Sequence, residues 1–156
     1  HQIYPWHHAA GYFVLRRRAD GLDLKLITVR QYAPTMATED GQDLDDDARL
    51  MALMVFVANL SLRNRLDRMD GTGEMAWADD AAVSATVAGF KKALEGSLST
   101  DLVNLLRSYA EDDWMVLLDA VGARYRLMPA EEDLLQNQIA GHAVCLQAAI
   151  RNAFPI

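Results

Sequence analysis

Cys145 is the only cysteine in the chain, which excludes an internal disulfide and leaves the redox compartment undecided. Basic residues are outnumbered: 15 Lys and Arg face 22 Asp and Glu, for a formal net charge of −7. No general cationic field is present to gather phosphate backbones, so nucleic acid is not an expected partner. Arg16, Arg17 and Arg18 form the only basic run, and it reads as a solvated strand end. Spanning a bilayer takes roughly 18 or more uninterrupted apolar residues. The longest greasy run, residues 50–58, is half that, so no membrane-spanning helix is expected. Also missing are a fixed-period repeat, a low-complexity segment, a phosphate-binding or dinucleotide glycine pattern, a serine nucleophile elbow, a zinc helix and paired cysteines.

What is present is the composition of an ordinary globular protein, 51% hydrophobic and 24% charged over 156 residues. That length is close to the commonest single-domain size, so one domain over 1–156 is expected. Tyr12-Phe13-Val14-Leu15 and Leu24-Lys25-Leu26-Ile27-Thr28-Val29 flank the turn signal Ala19-Asp20-Gly21, which predicts a β-hairpin within an amino-terminal arm over 1–33. A two-stranded ribbon is marginal in water, so the hairpin is expected to lie on the helices.

Asp43, Asp45, Asp46 and Asp47 collect where a helix amino terminus favours negative charge, and the alternating calcium-loop pattern is missing. The helix that follows, over 46–69, is apolar on every side in its first half, as a central buried helix should be. Met51 and Met54 read as its core fillers rather than as thioether ligands. Asn59-Leu60-Ser61 matches the glycosylation acceptor pattern, but by chance, since it falls inside this helix. Asp70-Gly71-Thr72-Gly73 reads as a connector. Val83, Val87, Phe90 and Leu94 mark a second helix closed by Gly96, and Ser99 and Thr100 cap a third that buries Leu102, Leu105, Leu106 and Tyr109. Asp112 and Asp113 open a fourth, carrying Trp114, Leu117, Leu118 and Val121, and Pro129 ends that segment. The last helix, over 131–154, presents the inward stripe Leu135, Ile139, His142, Leu146, Ala149 and Ala153. The fold class is therefore mainly α: an antiparallel helical bundle of about five helices over 44–154 with an N-terminal β-hairpin.

Three of the four histidines, His1, His7 and His8, fall in the first eight residues, and His142 interrupts an apolar stripe. An amino-terminal histidine offers its α-amine and ring Nδ1 to one metal ion. A second imidazole completes a T of three nitrogens, and planar nitrogen sets select copper. In that one residue the chain resembles the histidine-brace copper proteins, which include the lytic polysaccharide monooxygenases and periplasmic copper chaperones. The resemblance implies that the amine and ring of His1 hold the ion. Those families are β-sandwiches, a pattern from which a helical bundle departs, so neither their substrate nor their activity carries over. For the second ligand His142 is the stronger choice, since a buried imidazole needs a partner. Adjacent His7 and His8 alternate faces of an extended arm, so at most one of them joins His1. The metal candidates are thus His1, His142, His7 and His8, and proton competition should weaken binding below about pH 6.

The function expected on that basis is an exported copper-binding protein, periplasmic or extracellular, that stores, delivers or uses copper through His1, with an export signal ending just before it. The alternative is a non-catalytic, acidic helical module that docks a protein partner through its hairpin edge or an exposed helix face within a larger secretion or membrane-associated assembly. No catalytic residue is assigned. Cys145 and His142 share a helix face, but a buried, inert thiol is the plainer reading, and the pairs Asp112-Asp113 and Glu131-Glu132 belong to helix starts.

Overall fold

A computed structural model describes residues 2–3, 13–26, 32–33, 45–68, 74–123 and 129–155. Its elements, in chain order, are β1 (Gln2–Ile3), β2 (Phe13–Arg18), β3 (Gly21–Leu26), β4 (Tyr32–Ala33), α1 (Asp46–Arg63), β5 (Leu66–Arg68), β6 (Met75–Trp77), α2 (Asp80–Ala93), α3 (Thr100–Ser108), α4 (Glu111–Ala123) and α5 (Pro129–Ala153). The mainly helical fold with an N-terminal antiparallel hairpin is as expected.

Side-chain caps start the helices. Asp45, in extended conformation, accepts from the Ala48 backbone N–H at 2.8 Å, with Asp46 and Asp47 in the first turn of α1. Asp79 accepts from the Ala81 N–H to open α2, and Ser99 from the Leu102 N–H to open α3. Pro129 is the first residue of α5 rather than the end of the preceding segment. Its locked φ and missing N–H suit a position whose amide has no helical partner in any case.

α1 and α5 form the axis of the bundle, because α2, α3 and α4 each pack on both of them. The central place expected for α1 is therefore shared. Side-chain contacts give the directions: Phe56 meets Phe90 and Asn64 bonds Thr86, so α1 and α2 are antiparallel. Lys91 reaches the Ala153 carbonyl while Cys145 lies beside Asp80, so α2 runs with α5. Gly122 sits against Leu135, where an added Cβ would come within 2.7 Å of Leu135 Cδ2. Glycine thus sets how closely α4 and α5 approach. The core centres on Trp114, Met54, Leu62, Leu102, Leu106, Leu118, Leu146 and Ile150. Met54 fills it as expected, whereas Met51 lies at the exposed rim.

The helix expected over 46–69 ends at Arg63. Asn64 caps it by donating to Leu60 and Leu62 carbonyls, and the chain turns into β5, which pairs with β6 in the register Leu66↔Trp77, Asp67↔Ala76, Arg68↔Met75. The expected connector over 70–73 lies outside the described residues, and the strands that flank it form a second antiparallel pair. The first hairpin also differs in extent: β2 continues through all three arginines, pairing Arg16↔Asp23, Arg17↔Leu22 and Arg18↔Gly21. Gly21 has φ +152°, a conformation that favours glycine, and it takes up the reversal after Ala19-Asp20. Among the described residues, the extensive contacts of this hairpin are internal. Arg16, Arg17, Arg18, Leu22 and Lys25 are all exposed.

Candidate functional site

Among the described residues, the densest cluster of polar side chains inside the bundle forms where α1, β6, α2 and α5 converge. Ser61 faces inward near the end of α1, fully buried, and its hydroxyl donates to the Ala58 carbonyl at 2.8 Å. Two residues past the helix, the buried Arg65 donates Nε–H to the Ala78 carbonyl at 2.8 Å, and its guanidinium meets the Asp80 carboxylate at 3.0 Å. The Trp77 ring lies under it, 4.7 Å from Cζ to the ring centroid. The Ala78 N–H returns a bond to the Arg65 carbonyl, so β6 and the turn after α1 are tied in both directions. α5 contributes His142, 1% exposed, edge-on to Trp77 at 5.7 Å between centroids.

The bonds of His142 define its proton. Nδ1 is 3.4 Å from Arg65 NH1, and a guanidinium can only donate, so Nδ1 carries the lone pair. The proton is then on Nε2, which donates to Ser61 Oγ at 3.0 Å, consistent with the Ser61 proton being committed to Ala58. Burial first, and next the Arg65 charge, push the His142 pKa down from 6.5 to about 4, with Asp80 opposing. The ring is neutral at pH 7 and every polar atom on it has a partner.

Such an arrangement suits structure better than nucleophilic chemistry. A serine nucleophile passes its proton to an imidazole lone pair; here the imidazole donates to the serine, and a guanidinium occupies the place where a carboxylate would orient the ring. Cys145 does not pair with His142, since both ring nitrogens are taken. Its thiol lies 4.0 Å from the Asp80 carbonyl, and burial followed by the Asp80 charge raises its pKa, keeping it protonated. Asn59 is buried, so the glycosylation tripeptide is closed to a glycan, and its serine belongs to the His142 network.

Of the expected metal ligands, His1, His7 and His8 lie outside the described residues. Among the described residues no three of His, Cys, Asp and Glu converge on one point. His142 itself offers a single lone pair, aimed at a cation. Arg65 and Trp77, which shape the cluster, carry no motif in the sequence; their only signal is an arginine just past a long apolar helix and a tryptophan just past a glycine-rich segment. The chain matches no protein-family model, no curated protein and no solved structure. No helix among the described residues is long and apolar enough to cross a membrane.

Proposed function

We propose that this chain is a non-catalytic, acidic helical interaction module that docks a protein partner through the tip of its first hairpin. The observation that carries it is Leu22. This residue is 64% exposed, directly cross-strand from Arg17, on a ribbon whose extensive contacts are internal. An apolar side chain beside Arg17, on a ribbon with no third strand among the described residues, suits protein docking, because backbone groups supply affinity and the neighbouring side chains supply selectivity.

The inner cluster supports the same reading. Ser61, Arg65 and His142 are buried and satisfy one another, and the proton on Nε2 points the wrong way for a nucleophile. The copper expectation finds less support in His142: an ion at Nδ1 would sit against the Arg65 guanidinium, and one at Nε2 would have to displace Ser61.

The test is a photo-reactive amino acid placed at position 22 in cells that express the chain, with exposed position 84 on α2 as control. A polypeptide cross-linked from 22 and not from 84 supports docking through the tip. The same yield from both positions, or none from 22, ends the proposal. Stoichiometric Cu(II) retained by the purified protein and lost on His142→Gln with the fold intact would replace it with the copper reading.

A further inference from the structure

The exposed side of α4 mirrors the hairpin tip in charge and matches it in apolar character. The helix contains Glu111, Asp112, Asp113 and Asp119 and no Lys or Arg. Its inward stripe is Trp114, Leu118, Val121 and Gly122. On the outward side Asp112, Met115, Val116 and Asp119 recur at helical spacing, with Val116 68% exposed and Met115 36%. Carboxylates therefore bracket two bare apolar side chains. Among the described residues neither Asp112 nor Asp119 has a cationic partner, and Asp119 lies past the first turn, where a carboxylate gains little from the helix dipole.

The hairpin tip carries the reciprocal set. Arg16, Arg17, Arg18 and Lys25 against Asp20 and Asp23 give it a formal charge of +2 on a chain of −7. Arg18 is held by Asp23 at 2.6 Å and Arg16 stands cross-strand from that same Asp23, both on the face opposite Leu22, while among the described residues Arg17 has no ion pair. Arg17 and Leu22 occupy the same face by their pairing.

We infer that the occupant of this α4 face is the hairpin tip of a second copy of the chain, with Leu22 against Met115 and Val116 and with Arg17 against Asp112 and Asp119. The identification rests on the interaction module proposed above and names its partner. Opposite charges around an apolar centre select this pairing over tip on tip or α4 on α4, both of which bring like charges together. The contact is small, so its dissociation constant falls in the micromolar range. Exposed ion pairs contribute to it, so salt weakens it.

Sedimentation velocity on the whole chain up to about 0.1 mM tests this, a concentration that reveals association with a dissociation constant near 10 μM. Wild type should self-associate at low salt, at least about tenfold more weakly at high salt. Arg17→Glu alone and the Asp112→Lys, Asp119→Lys pair alone should each be monomeric, with unchanged far-ultraviolet circular dichroism. An equimolar mixture of the two should associate again, since each supplies the complement the other lost. If a charge variant fails to fold, Leu22→Ser and Val116→Ser probe the same surfaces and should weaken association at least about tenfold. A wild type that stays monomeric, association indifferent to these substitutions, or a mixture that does not recover overturns the self-docking. Cross-links from position 22 that reach only a different polypeptide also overturn it, while leaving the interaction module standing. Absence of any position-specific cross-link ends both.

Discussion

Acidification should destabilise this protein through one side chain before most of its carboxylates titrate. His142 has a pKa of about 4 in the folded chain against 6.5 when unfolded. The unfolded state therefore binds the proton more tightly. The stability that comes from keeping this ring neutral is complete above pH 6.5, declines as pH falls from 6.5 to about 4, and changes no further below that. Each unit of pKa difference corresponds to about 1.4 kcal/mol, so the whole window removes about 3 kcal/mol. That is a large share of the roughly 5–15 kcal/mol by which domains are stable. Urea unfolding followed by circular dichroism between pH 5 and 7.5 measures the slope, and the same series on His142→Gln supplies the background from other groups. Between pH 6 and 5 the wild-type slope should exceed the His142→Gln slope by about 1 kcal/mol or more per pH unit. Parallel curves for the two proteins, or a His142 ring that titrates near 6.5 by NMR, would refute the network drawn around it.

The partners of His142 make separate predictions. Ser61→Ala leaves the buried Nε2–H without an acceptor and should cost about 1–3 kcal/mol in urea midpoint analysis. Arg65→Met removes the second cause of the depressed pKa but not the first, so the His142 pKa read by NMR should rise toward 6.5 without reaching it, while stability falls as the Ala78 carbonyl and Nδ1 lose a donor. Gly122→Val drives a branched side chain into Leu135 and should lower stability by about 2 kcal/mol, shifting the thermal midpoint by several degrees for a chain of this size.

Much of the fold was legible because several signals agreed at three of the helix starts. Asp45, Asp79 and Ser99 precede apolar periodicity, and each accepts a backbone N–H. Where one signal stood alone, tertiary forces prevailed. Residues 64–69 contain good helix formers, yet the chain leaves the helix because Arg65 gains Ala78, Asp80 and the Trp77 face, and the Ala78 N–H gains the Arg65 carbonyl. Those four groups lie beyond a glycine-rich segment that local propensity does not see past. The arginine run reads as the end of a strand and is part of it, because an exposed ribbon places no demand on burial and the Arg18–Asp23 pair helps hold the register.

Half of the candidate site was equally visible. A histidine in an apolar stripe must find partners, so the need at His142 could be read from α5 alone. What it bonds could not, since Ser61 is 81 residues away and Arg65 is 77. The identity of that neighbour decides the chemistry: a carboxylate at Nδ1 would raise the basicity of the ring, whereas the Arg65 guanidinium lowers it and sends the lone pair inward.

The separation between this inner network and the hairpin tip leads to one more testable consequence. His142 acts on stability through α1, β6, α2 and α5, and the hairpin makes no extensive contact with any of them among the described residues. Sites that share no partners contribute additively, within about 0.5 kcal/mol. Leu22→Ser should therefore leave the acid dependence of unfolding unchanged, while His142→Gln should leave self-association unchanged wherever it remains folded. The double variant should show the sum of the two single effects. Coupling larger than that margin would mean that the tip and the core communicate, and the two could no longer be treated as independent.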